Sequence, residues 1–269
     1  MDWPCVQAAA LDCLLEVEID AKLRKTAAAA AAWQRGELPV GGVDAPPVRA
    51  LPEPGRPLRP PLVAPRDVAR RPLGSAAGRA ALIHAVAHIE FNAVNLAWDA
   101  VYRFRDLPRA WIDDWVAVAA DEARHFQLLA ERLAAHGMAY GDLPAHNGLW
   151  QMAVQTAHDP LARMALVPRV LEARGLDVTP AMIERLRSVG DLQTVAVLQV
   201  ILREEIAHVA AGSRWFEYLC AERGLDPQAT FIALIREFAP NAVRGPFNLA
   251  ARAAAGFRAA EMAALDALH

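Results

Sequence analysis

A glutamate and a histidine three residues apart occur twice in this chain. One pair is Glu122/His125 in "WVAVAADEARHFQLLAERL" and the other is Glu205/His208 in "VLQVILREEIAHVAAGS". Both runs carry apolar residues at helical spacing: Trp115, Val118, Ala119, Phe126, Leu129 and Leu133 in the first, Leu198, Ile201, Leu202, Val209 and Phe216 in the second. Three residues is close to one helical turn, so each acid and its histidine point into the same apolar face. Each pair alone is a weak signal, because chance supplies about half such a pair in a chain of this composition. A further spacing makes them informative. Glu90 lies on an apolar stripe 32 residues before Glu122, and Glu172 lies 33 residues before Glu205. The first interval has its loop, "RDLPRA", at the midpoint, so an antiparallel hairpin brings Glu90 level with Glu122. The second interval folds near 188–191 and brings Glu172 level with Glu205. The chain is thus expected to be all-α, with two similar helical hairpins that each present Glu…Glu-x-x-His.

Packing the two hairpins together would converge four carboxylates and two imidazoles inside a helical bundle. Without compensation this is very unfavourable, since buried charges lose their hydration and like-charged carboxylates repel. Two divalent cations reverse the sign: four carboxylates balance their charge, and oxygen plus imidazole ligands suit iron first and manganese second. Glu90, Glu122, His125, Glu172, Glu205 and His208 are the candidate metal ligands. They match the ligand set of di-iron and di-manganese carboxylate bundles. No catalytic group beyond these ligands can be read from the sequence.

The stretches "AHIEFNAVNLAWDAVYRF", "DEARHF", "LEARGLD" and "REEIAHV" carry a family resemblance. The chain resembles the ferritin-like superfamily of non-haem di-iron proteins over roughly 80–220. More narrowly, it resembles an uncharacterised bacterial branch known as a domain-of-unknown-function family. The resemblance implies a ferritin-like four-helix bundle in which the same six residues bind two metals. "DEARH" also resembles the D-E-x-R-H of bacterial multicomponent monooxygenases, where the preceding acid supports the histidine of the opposite motif. By that likeness Asp121 would bond His208, Glu204 would bond His125, and Arg124 would pair with one of these acids. Glu172 departs from the pattern of straight ligand helices, because it sits between Pro168 and Gly175. The implied activity is an O2-dependent oxidase or oxygenase acting on an organic substrate, with an electron donor as a further partner. Three other readings stand beside it: a tRNA-hydroxylase-like RNA modifier, a ferroxidase or iron-handling protein, and a metal-stabilised scaffold without catalysis.

The rest of the chain limits these readings. Residues 1–38 read as an N-terminal helical segment. From Pro39 to Pro72 the chain holds ten of its nineteen prolines, so residues 39–75 are expected to form an extended belt or linker. The belt carries Arg49, Arg56, Arg59, Arg66, Arg70 and Arg71 against Asp44, Glu53 and Asp67. Acids on the bundle are their expected partners in preference to RNA phosphates. Residues 76–222 form the bundle and 223–269 a C-terminal helical extension, all as one domain. Within the third bundle helix, Asp159-Pro160 gives a cap, Pro168 a kink, and Gly175 a break, after which Thr179 caps a new helix begun by Pro180. His84 and His88 read as packing or surface histidines, Tyr102 as rotated away from Glu90, and Cys220 as a core residue. The net charge of −3 gives no general attraction to nucleic acid or anionic membranes. Three cysteines without a CxxC pair, an acidic start and no long apolar run point to a cytoplasmic chain that does not span a membrane. A monomer or homodimer is expected rather than a storage cage.

Overall fold

The computed structural model describes residues 2–42, 45–68 and 71–268. Asp44 and Arg70, counted above in the belt, lie outside these. The structure is all-α: among the described residues there is no strand, and one isolated bridge joins Leu62 to Ala145. The chain divides into two compact units, Met1–Val154 and Gln155–His269.

In the first unit, α1 (Val6–Leu15) and α2 (Ile19–Gln34) precede the belt, and α3 (Ala76–Arg103), α4 (Arg109–Ala135) and α5 (Gly148–Gln155) follow it. Helix α3 starts where the Ser75 hydroxyl accepts from the Gly78 amide at 3.0 Å. Ile83, Ala87, Val94, Ala97 and Val101 are buried as their spacing predicts. From Glu90 to Tyr102 every residue is buried, because α1 and α4 both pack against α3. Its length and apolar composition would suffice to cross a bilayer, yet 72% of its most apolar window is buried within the protein. Polar residues inside it find local partners: Asn95 Oδ1 accepts from Lys22 Nζ at 2.6 Å, and Asp99 pairs with Arg103 at 2.7 Å. Pro108 then opens α4. Trp111 Nε1 donates to the Ala100 carbonyl at 3.1 Å, while His125 faces Glu90. As the numbers rise along α4 they fall along α3, so the pair is antiparallel, as the midpoint loop requires.

The belt lies extended along this unit. Proline has a carbonyl but no N–H, so its partners must be donors. Tyr102 donates to the Pro47 carbonyl at 2.7 Å, Trp150 Nε1 to that of Pro52 at 3.1 Å, and Arg105 to that of Pro46. The Tyr102 hydroxyl also accepts from the Arg49 amide, so this tyrosine anchors the belt. Arg56 pairs with Glu53 and Arg66 with Asp67, inside the belt rather than with acids on the helices.

The second unit contains α6 (Pro160–Leu166), a π-helical segment (Val167–Glu172), α7 (Ala173–Ser188), α8 (Leu192–Glu222), α9 (Pro227–Phe238), α10 (Leu249–Ala254) and α11 (Ala259–Asp266). Asp159 caps α6 by accepting from the Leu161 amide, as expected. The irregularity expected at Pro168 takes the form of the π turn, in which the Ala173 amide reaches back five residues to the Pro168 carbonyl. Opposite it on α8 stands Gly212, where an added Cβ would collide with the Pro168 ring.

The break expected at Gly175 does not occur, and Thr179 is no cap. Helical residues run without interruption to Ser188, with Pro180 inside α7. Pro180 removes the N–H that would bond the Leu176 carbonyl, and the Asn248 side-chain amide donates to that carbonyl instead at 3.1 Å. The Asn248 Oδ1 meanwhile caps α10 through the Ala251 amide. One residue near the C-terminus therefore repairs a defect 68 positions upstream that local signals read as a helix end. Asn248→Ala should lower stability by about 1–3 kcal/mol in chemical denaturation, since it loses a cap and strands a carbonyl. In a Pro180→Ala background the loss should shrink, because the new N–H at 180 can bond Leu176. Equal losses in both backgrounds would contradict this account.

Candidate metal centre

Glu90 is contributed by α3, and Glu122 and His125 lie one turn apart on α4. All three side chains are buried, with 3%, 1% and 0% of their surface exposed. His125 Nδ1 lies 3.1 Å from Glu90 Oε2 and 3.4 Å from Glu122 Oε2. One ligand atom from each of the three falls within 4.8 Å of the others, close enough to share an ion. The α3–α4 hairpin thus makes the juxtaposition that the 32-residue interval predicts.

The electrostatics explain why such a trio is unusual. Burial and the neighbouring Glu122 carboxylate raise the Glu90 carboxyl to about 8. Burial opposes a charge on His125 as well, but the hydrogen bonds it donates to Glu122 and Glu90 outweigh it and hold the imidazolium up to about 11. A buried acid and a buried histidine that both hold their protons more tightly than usual mark a cluster where further negative charge is unfavourable. A bound cation would relieve both. Two carboxylates and an imidazole are hard and borderline donors, a set that suits iron, manganese or zinc.

In the second unit, Glu205 and His208 stand one turn apart on α8, with His208 Nδ1 at 3.6 Å from Glu205 Oε1. His208 is buried and Glu205 is 13% exposed at its side chain. Glu172 is the last residue of the π turn, and one of its carboxylate oxygens is sealed from solvent. Arg124 pairs with Asp121 at 2.8 Å, an acid that the monooxygenase likeness names for it, and Glu204 lies 3.7 Å from Arg203.

Beside Glu90 and His125, the rings of Phe91 and Phe126 meet each other and both meet Tyr140. His84 and His88, expected as packing or surface residues, are buried against that tyrosine. His84 stacks on Tyr140 with ring centroids 5.4 Å apart, and His88 Nδ1 lies 2.8 Å from its hydroxyl. Burial pushes His88 down to about 4, so it is a neutral residue packed and hydrogen-bonded against Tyr140 and the His146 carbonyl. Sequence reasoning passed over Tyr140, Lys22 and Arg169. Lys22 is buried with three acceptors around its ammonium, the Cys13 and Leu14 carbonyls and Asn95. The available signal was a basic residue inside an otherwise apolar helical run, as in "VPRVLE". Cys5, Cys13 and Cys220 are free and buried, Cys220 in the core as expected.

A family model matches most of the chain, and the comparisons leave the activity open. A model described as protein of unknown function (DUF455) matches residues 15–263, which include all six candidate ligands. An uncharacterized protein of Haemophilus influenzae is 46% identical over 213 residues, covering 77% of this chain and 74% of that protein. No solved structure matches the chain. The family model extends over α2, the belt, both E-x-x-H motifs and most of the C-terminal tail, and on that breadth the chain belongs to the DUF455 family of proteins of unknown function.

Proposed function

We propose that this protein is a di-metal carboxylate protein of the ferritin-like kind, acting as an O2-dependent oxidase or oxygenase on an organic substrate. The observation that carries the reading is the buried trio Glu90, Glu122 and His125, whose motif recurs as Glu172, Glu205 and His208. Each trio would hold one divalent ion, iron before manganese, with its carboxylates balancing the charge. When bound, such a pair of ions supplies the redox chemistry that side chains lack. The protein's own residues have narrower tasks. Glu90, Glu122 and His125 bind and orient; Phe91, Phe126 and Tyr140 exclude water from the α3–α4 side. Asp121 and Glu204 are proposed to orient the ligand histidines, with Arg124 fixing Asp121.

RNA modification is the alternative enzymatic reading: Arg56 and Arg66 pair with Glu53 and Asp67 within the belt, and RNA binding with a steep salt dependence would favour it. A scaffold with bound metal remains the rival reading. It separates from the oxidase reading by reactivity: anaerobically loaded ferrous protein should consume O2 in an electrode chamber within minutes, and Glu90→Ala should slow or abolish this. Ferrous protein that stays loaded and consumes none would establish the scaffold instead.

Proton linkage gives a second test. Without metal, Glu90 and His125 both hold protons above their ordinary ranges, and both must release them to act as ligands. Apparent affinity for Mn(II) should therefore rise as pH increases from 6 to 8. Calorimetry in two buffers of different ionisation enthalpy should show about one or more protons released per ion at pH 7. An affinity independent of pH would contradict the geometry. Asp121→Ala should weaken metal binding by roughly 10–100-fold if that acid supports a ligand. A variant indistinguishable from wild type would leave Asp121 with no part in holding the metal.

A further inference from the structure

Arg169 lies in the π turn, three residues before Glu172, and is 1% exposed. Its guanidinium sits over three aromatic rings, 4.7 Å from Phe216 on α8, 4.2 Å from Phe231 on α9 and 4.7 Å from Phe257 ahead of α11. Its guanidinium pairs with Glu261 of α11, whose Oε1 accepts from Nη2 at 2.7 Å. Glu261 is itself 3% exposed, and its other oxygen accepts from the Arg258 amide at the start of α11. The Nε and Nη1 groups of Arg169 find no hydrogen-bond acceptor.

Stability does not account for this arrangement. A buried ion pair with two unsatisfied N–H groups gains little over well-packed apolar residues of the same size, because desolvation offsets the attraction. Such a pair does specify position. A guanidinium enclosed by three rings and one carboxylate has a single orientation, and its backbone is fixed with it. That backbone is the π turn. A π turn carries one residue more than an α turn in the same length, and it relaxes to α geometry unless something holds it. Pro168 against Gly212 holds one side and Arg169 holds the other. Relaxation would rotate the residue at the end of the turn by about a quarter to a third of a revolution, since one residue spans about 100°. The residue at the end is Glu172.

We propose that Arg169 is a positioning residue for the Glu172 ligand, and that helix α11, through Glu261, is the anchor that fixes it. The C-terminal helices thereby belong to the metal site although they contribute no ligand. The inference rests on the metal reading above and gives the C-terminal extension its role.

Two variants test it, with Co(II) as the metal probe. Glu261→Gln keeps the shape and leaves an amide oxygen for the Arg258 amide, but removes the anion beside Arg169. The double variant Arg169→Met/Glu261→Leu removes both charges and refills the box with apolar groups. Positioning predicts that the double variant melts at or above the wild-type temperature, yet both variants bind Co(II) at least tenfold more weakly. Both should also show visible d–d bands shifted from those of wild type, the signature of a changed ligand set. A purely structural role predicts melting temperatures that move while affinity and bands stay those of wild type. That result, in Glu261→Gln or in the double variant, overturns the proposal. Wild-type protein that binds no Co(II) at all would instead overturn the metal reading, and the clamp on Glu172 with it.

Discussion

Two carboxylates buried beside one imidazole, between two antiparallel helices, set the terms for the rest of this molecule. Glu90 and Glu122 stand where a soluble bundle would place leucines. Like charges at that separation in a poorly polar interior repel strongly, and desolvation adds to the penalty. The raised proton affinities of His125 and Glu90 both offset part of it. The surroundings have to resist the tendency of such a site to open. Helix α3 is accordingly buried on all sides past Glu90, Phe91 and Phe126 close the flank, and Trp111 ties the hairpin end to Ala100.

The two helical hairpins were legible because their signals are local and periodic. Apolar spacing placed α3, α4 and α8, the loop "RDLPRA" with Pro108 turned the first hairpin, and the 32-residue interval paired Glu90 with Glu122. The kink at Pro168 was legible for the same reason. The continuity of α7 was not. Gly175, Thr179 and Pro180 form a sound local signal for a helix end, and it is overridden by Asn248, which donates to the one carbonyl that Pro180 leaves without an N–H. The Arg169 box escaped notice likewise, since Phe216, Phe231, Phe257 and Glu261 converge only after folding. Local rules find where an element is able to stop; they do not find the distant side chain that lets it continue.

The appendages share one physical logic. The belt exposes proline carbonyls and is held by side-chain donors from Tyr102, Arg105 and Trp150. The C-terminal segment supplies Asn248 to a defect in α7 and Glu261 to a charge in the π turn. In both cases a segment outside the long helices satisfies groups that those helices leave open. A bundle distorted at Pro168 and Pro180 needs such segments. In the proposed reading, the distortion is what brings Glu172 to its ligand position.

The central claim is that the two E-x-x-H motifs, each with its upstream glutamate, hold metal. Anomalous diffraction from crystals grown with iron or manganese, measured on both sides of the metal edge, tests it most directly. The account predicts two peaks per chain. One should lie within bonding distance of Glu90, Glu122 and His125, and the other of Glu172, Glu205 and His208. Peaks confined to surface carboxylates, or fully loaded crystals with neither motif occupied, would contradict it.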